Sequence, residues 1–63
     1  MTEYARYNTI DYKFVTEDDG WVSVYEYDKY SNTYYPVIQA ADMAHAHSYC
    51  VLREPLPVQV NIL

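Results

Sequence analysis

A chain of 63 residues holds one small domain, and a domain of that size buries only about 60% of the surface its unfolded chain exposes. With 51% hydrophobic residues, 17% aromatic residues and a single glycine, the composition excludes a disordered or low-complexity chain. Nine acidic residues against four basic ones, a net charge of −5, argue against direct nucleic-acid binding and make a basic surface the complementary partner.

Residues 1 to 9, MTEYARYNT, show no decisive period: fraying, an extension of the following strand and a helical turn all fit them. From Ile10 to Thr16 the pattern is that of a strand, with Ile10, Tyr12 and Phe14 on one side and Asp11, Lys13 and Val15 on the other. Glu17 to Gly20, EDDG, predicts a hairpin, because Asp-Gly tolerates the positive φ angles of a tight type I′ turn. Trp21 to Asp28 predicts the returning strand, with Trp21, Ser23, Tyr25 and Tyr27 facing one way and Val22, Val24, Glu26 and Asp28 the other. Ser31 and Asn32 supply turn chemistry, and Thr33 to Gln39 reads as a third strand whose Pro36 places it at an edge or near a bulge.

The period then changes. Ala40, Met43, Ala44, His47, Cys50 and Val51 recur on one helical stripe, with Asp42, His45, Tyr49 and Arg53 opposite, so the spacing predicts a helix over 40–53 that packs on the sheet. Pro55 disfavours helical geometry at Glu54. Pro55 to Pro57 reads as a stiff connector and Val58 to Leu63 as a last strand. The expected fold is α+β, in the order β-β-β-α-β, as one domain over residues 1–63.

The stretch HAHSYC, residues 45 to 50, raises the question of a metal site. On a helix, side chains two apart diverge by about 160°, so His45 and His47 cannot grip one ion, and the closely spaced ligand pairs of zinc sites are missing. His47 and Cys50 share a face, but that face points at the sheet, which predicts core packing for both. Neither a metal, a cofactor nor a catalytic residue is expected, and the protein reads as a non-enzyme. A lone cysteine makes no internal disulfide, the first residues lack a signal-peptide pattern, and no run reaches the roughly 18 apolar residues of a membrane span. The expectation is a cytoplasmic protein with no membrane contact.

Nine tyrosines exceed what one helix can cover on one side of a sheet, so several must meet solvent or a partner. Tyrosine presents rigid apolar area with a polar tip, the usual make-up of an interface hot spot. Acids cluster nearby in sequence. The candidate partner-binding residues are therefore Glu17, Asp18, Asp19, Tyr25, Glu26, Tyr27, Asp28, Tyr30 and Tyr34. Carboxylates would stand in for phosphates and tyrosines would pack where bases or sugars lie.

The stretch DYKFVTEDDGWVSVYEY, followed by VIQAADMAHAH, resembles the N-terminal domain of HicB-type antitoxins, in which an Asp-Gly turn precedes a second strand and an Ala-containing helix follows the third. Where that family carries a Pro-Asp-Leu-type segment this chain has YDKYSNTYYP. The resemblance implies the topology and a small protein that blocks another protein, and it does not extend to toxin neutralisation. Size and architecture are also similar to those of short phage-encoded inhibitors. The functional expectation is a phage or mobile-element inhibitor (anti-CRISPR, anti-restriction or antitoxin-like), a DNA mimic that blocks a basic nucleic-acid-binding protein of the host. The alternative is a homo-oligomeric assembly protein, a homodimer included, built on exposed tyrosines and a sheet edge.

Overall fold

Asn8 (φ 52°) and Thr9 (φ 68°) both adopt the left-handed conformation, and two such residues in succession make a type I′ turn, whose twist matches that of the strands it joins. In the computed structural model, which describes residues 1–52, this turn connects β1 (Thr2–Tyr7) to β2 (Ile10–Thr16). The strand over residues 2 to 7 is the element that hydropathy left open: Thr2, Tyr4 and Arg6 alternate with Glu3, Ala5 and Tyr7, which separates no apolar face from a polar one.

β2 continues into β3 (Val22–Asp28) through the EDDG segment. The turn type differs from the expected one. Gly20 N–H donates to Glu17 O at 3.0 Å and Glu17 N–H to Trp21 O at 2.8 Å, while Gly20 alone is left-handed, at φ 93°. This is the pattern of a three-residue loop in which glycine closes a turn as a bulge, and it leaves Asp18 and Asp19 on the right-handed side. β4 (Thr33–Ala40) follows a turn closed by Asn32 at φ 58°. The four strands form one antiparallel sheet in the order β1-β2-β3-β4.

Helix α1 (Met43–Leu52) lies across one side of this sheet, touching β2, β3 and β4. It starts at Met43, not Ala40, because Ala40 still pairs with Val22 at the end of β4. Asp42 caps it: its Oδ1 accepts the His45 N–H at 2.9 Å, satisfying one of the orphan donors of the first turn. The same N–H, and then the His45 imidazole, hold the Asp42 carboxyl below its ordinary value.

The core joins Tyr12 and Phe14 of β2, Val22 and Val24 of β3, Ala40 of β4, and Ala46 and Cys50 of the helix. Full burial of a valine- or phenylalanine-sized side chain contributes about 1.5–3 kcal/mol, so this small set carries the fold. Cys50 is wholly buried and His47 half-buried, while His45 is exposed, as the helical spacing implied. The stripe itself needs correction. Ala44 and Val51 are exposed, Ala46 is buried, and Tyr49, expected on the wet side, packs against the core. The small Ala46 and Cys50, one turn apart, set the line of closest approach, which rotates the helix away from Ala44 and Val51. Arg53, the Pro55–Pro57 connector and the expected strand at Val58–Leu63 lie outside the described residues.

Candidate functional site: the open tyrosine face

Because strand side chains alternate, the sheet has a helix side and an open side. Register puts Tyr4 beside Lys13, Lys13 beside Tyr25, and Tyr27 beside Tyr34, all on the side that, among the described residues, no element covers. The rings form a connected set. Tyr34 lies 5.2 Å from Tyr27 in an edge-on arrangement and leans back over the sheet to reach Tyr4 at 6.0 Å. The Lys13 ammonium sits 4.5 Å from the Tyr25 ring centre and 5.1 Å from that of Tyr34, within the range where a cation is attracted to the face of an aromatic ring. Crowding by its neighbours, and then the Asp11 carboxylate, raise the Tyr34 hydroxyl above its ordinary pKa. Tyr27 OH donates to Asn32 Oδ1.

Of the nine residues expected to bind a partner, the structure brings Tyr25, Tyr27 and Tyr34 together and adds Tyr4 and Lys13, which the sequence did not point to. Without β1 as a strand, Tyr4 had no register and hence no neighbours. The acids do not share that centre. Glu17, Asp18 and Asp19 stand at the β2–β3 end, where Glu17 accepts from Ser23 Oγ at 2.7 Å and Asp19 from the Trp21 N–H at 3.1 Å. Asp28 stands at the other end, about 20 Å away at the ordinary rise per strand residue. It orders the β3–β4 turn by accepting from the Tyr30 N–H and Ser31 Oγ at 3.1 and 3.0 Å. Tyr30 projects from that turn at 92% exposure.

Glu26 requires a correction. It pairs with Tyr12 in register and shares the helix side with Val22 and Val24, so it is only 8% exposed and accepts a hydrogen bond from Tyr35 OH. It cannot be part of the open face. Asp28 has the same parity as Glu26 and belongs to the helix side as well, so of the expected acids Glu17, Asp18 and Asp19, at one end, are the ones beside the tyrosines.

Two further features lie away from the centre of this face. A cleft of about 430 Å³ opens at the end of the sheet, lined by Arg6, Asp11 and Tyr27 from the open side and by Ile10, Glu26 and Asp28 from the helix side, among others. On the helix side, His47 stacks on Phe14 at 4.4 Å, takes the Tyr7 hydroxyl at Nδ1 (2.6 Å), and places Nε2 3.4 Å from Glu3 Oε1. This links α1 to β1, which the sequence did not reveal because both partners of His47 lie in the segment without a period. Among the described residues no group of three or more His, Cys, Asp or Glu side chains is arranged to hold a metal ion, and no helix is long and apolar enough to cross a membrane. Comparison with models of protein families, with curated proteins and with solved structures found no match to this chain.

Proposed function

We propose that the protein is a non-enzymatic inhibitor that docks its open tyrosine face onto a basic surface of another protein, the nucleic-acid-binding groove of a host enzyme being the class expected. The observation that carries this reading is the Lys13 ammonium between the rings of Tyr25 and Tyr34. The face already receives one cation on its aromatic surfaces, and the exposed Tyr4 and half-buried Tyr27 offer the same surface to a partner's arginine or lysine. The net charge of −5 steers a basic partner towards the protein, with Glu17, Asp18 and Asp19 at one end of the face. Arg6 is paired with Asp11 at 3.0 Å, and Lys13 is already seated on the rings, so the approach of a basic partner relies on the net charge of the whole chain and on the acids at the β2–β3 end. In this division the acids govern encounter and the tyrosines govern residence.

The test is a nuclear magnetic resonance titration of the isotope-labelled chain with an arginine-rich peptide, with a glutamate-rich peptide of equal length as control. Shifts should concentrate at Tyr4, Lys13, Tyr25, Tyr27 and Tyr34, weaken with salt, and be absent with the acidic peptide. Tyr27→Ala should weaken binding by about 1 kcal/mol or more at any salt, the signature of a packing contact. Shifts confined to α1, or equal with both peptides, would overturn the reading. A second arm follows a captured cellular partner: it should be basic and should be displaced by DNA or RNA.

A further inference from the structure

The turn at Asn8 and Thr9 fixes which backbone groups of β1 face outward. In a two-residue type I′ hairpin the flanking residues, here Tyr7 and Ile10, exchange both main-chain hydrogen bonds. The Thr16 N–H to Met1 O bond of 2.9 Å at the far end has the same parity. Glu3, Ala5 and Tyr7 therefore turn their N–H and C=O groups towards β2, and Thr2, Tyr4 and Arg6 turn theirs to the free edge. Among the described residues nothing pairs with that edge. The opposite edge differs. In β4, Pro36 has no N–H, and Ile38 and Pro36 oppose the consecutive Val24 and Tyr25, which leaves Val37 as an unpaired bulge.

We infer that β1 is an interface between two copies of this chain, joined antiparallel about a two-fold axis through Tyr4 into one continuous eight-stranded sheet. The register follows from the backbone. A two-fold axis perpendicular to the sheet must oppose outward-facing residues with outward-facing residues, and of the possible alignments only the one centred on Tyr4 uses all three. Thr2 then opposes Arg6 of the second copy, Tyr4 opposes its own counterpart, and Arg6 opposes Thr2, for about six main-chain hydrogen bonds. No like charges face each other, since Glu3 falls opposite Ala5, and on the helix side Met1, 82% exposed, falls opposite Tyr7. On the open side the two Tyr4 rings meet at the axis, so the ring series Tyr27, Tyr34, Tyr4 runs on into its symmetry mate. A second copy is favoured over a foreign strand because this short segment is complementary to itself in hydrogen bonding, charge and side-chain size at one and the same register. The inference rests on the edge and not on the docking of a basic partner, so a dimer indifferent to arginine-rich peptide would leave it standing.

Sedimentation and light scattering of the full chain between about 1 μM and about 1 mM should show a reversible monomer–dimer equilibrium. Tyr4→Pro deletes an outward N–H at the centre of the interface without removing any bond to β2. It should raise the dissociation constant at least about tenfold, since the symmetric pair loses two hydrogen bonds. Tyr4→Ala controls for the lost ring and should retain more of the association. Should the proline chain fail to fold, cysteines decide. Tyr4→Cys sets two thiols on opposed residues about 5.5 Å apart at Cα, within disulfide reach, and should oxidise to a dimer linked through position 4. Thr2→Cys places its thiols about 14 Å apart and should not. A monomer at every concentration, or equal cross-linking from positions 2 and 4, would overturn the inference.

Discussion

Replacing His47 by alanine should destabilise the protein by about 2 kcal/mol, most of it from two contacts. The Tyr7 hydroxyl bond to Nδ1, at 2.6 Å and half-buried, contributes about 1 kcal/mol net. The stack on Phe14, with centroids 4.4 Å apart, contributes about 0.5–1.5 kcal/mol. At the usual 0.05–0.15 kcal/mol per residue a chain of this length has about 3–9 kcal/mol in all, so the loss is a large share of the total. In urea, where m is about 1 kcal/mol/M for a chain this small, the midpoint should fall by about 2 M. His45→Ala, on the exposed side of the same helix, should stay within about 0.5 kcal/mol of the parent. A double-mutant cycle of Tyr7→Phe with His47→Ala should show a coupling of about 1 kcal/mol, because either change alone removes the same hydrogen bond. Equal costs at the two histidines, or strict additivity with Tyr7, would show that the helix is not held to β1 in this way.

The backbone gives two opposite expectations. Gly20→Val should cost about 1–3 kcal/mol by thermal or chemical denaturation, purely through the positive φ, since a Cβ there would meet nothing within 4 Å. Thr9→Gly should stabilise the fold by about 0.5–1 kcal/mol, because a β-branched residue at φ 68° carries strain that glycine relieves, less the entropy glycine adds to the unfolded chain. Glu26→Ala should lower stability by about 1–3 kcal/mol, by leaving Tyr35 without this acceptor, yet leave the affinity for arginine-rich peptide unchanged; a loss of affinity at full stability would return Glu26 to the interface. Asp42 supplies a pH dependence. Its carboxyl is held below the ordinary 3.8, so its stabilisation is complete above that value and is lost as pH falls through the lowered one, an acid limb in helix circular dichroism that Asp42→Asn should abolish.

The elements with a clear alternation or a strong turn signal were legible from residue types alone: β2 by Ile10, Tyr12 and Phe14, β3 by its valines and tyrosines, and the hairpin by Gly20. What escaped was set by partners distant in sequence. β1 becomes a strand because Asn8 and Thr9 accept a left-handed turn that a β-branched residue rarely enters, and no hydropathy period announces it. The helix stripe was off by part of a turn because it weighed Val51 by hydrophobicity, whereas contact with the sheet selected the small Ala46 and Cys50. Of the candidate site, Tyr25, Tyr27 and Tyr34 were found from alternation, while Tyr4 and Lys13 needed the register. Charge suggests a surface place for Glu26 and Asp28, whereas their parity with Val22 and Val24 puts both on the helix side.

The unequal edges of the sheet also set how far it can grow. A strand edge that accepts another strand is an aggregation hazard when both sides of a sheet offer one, because each addition presents a fresh site and the assembly runs on into a fibre. Here β4 ends that possibility with Pro36 and the displaced Val37, so the sheet has a valence of one. Pairing through β1 is saturated after a single event, and a chain rich in exposed tyrosine is left with a stopping point instead of a polymer.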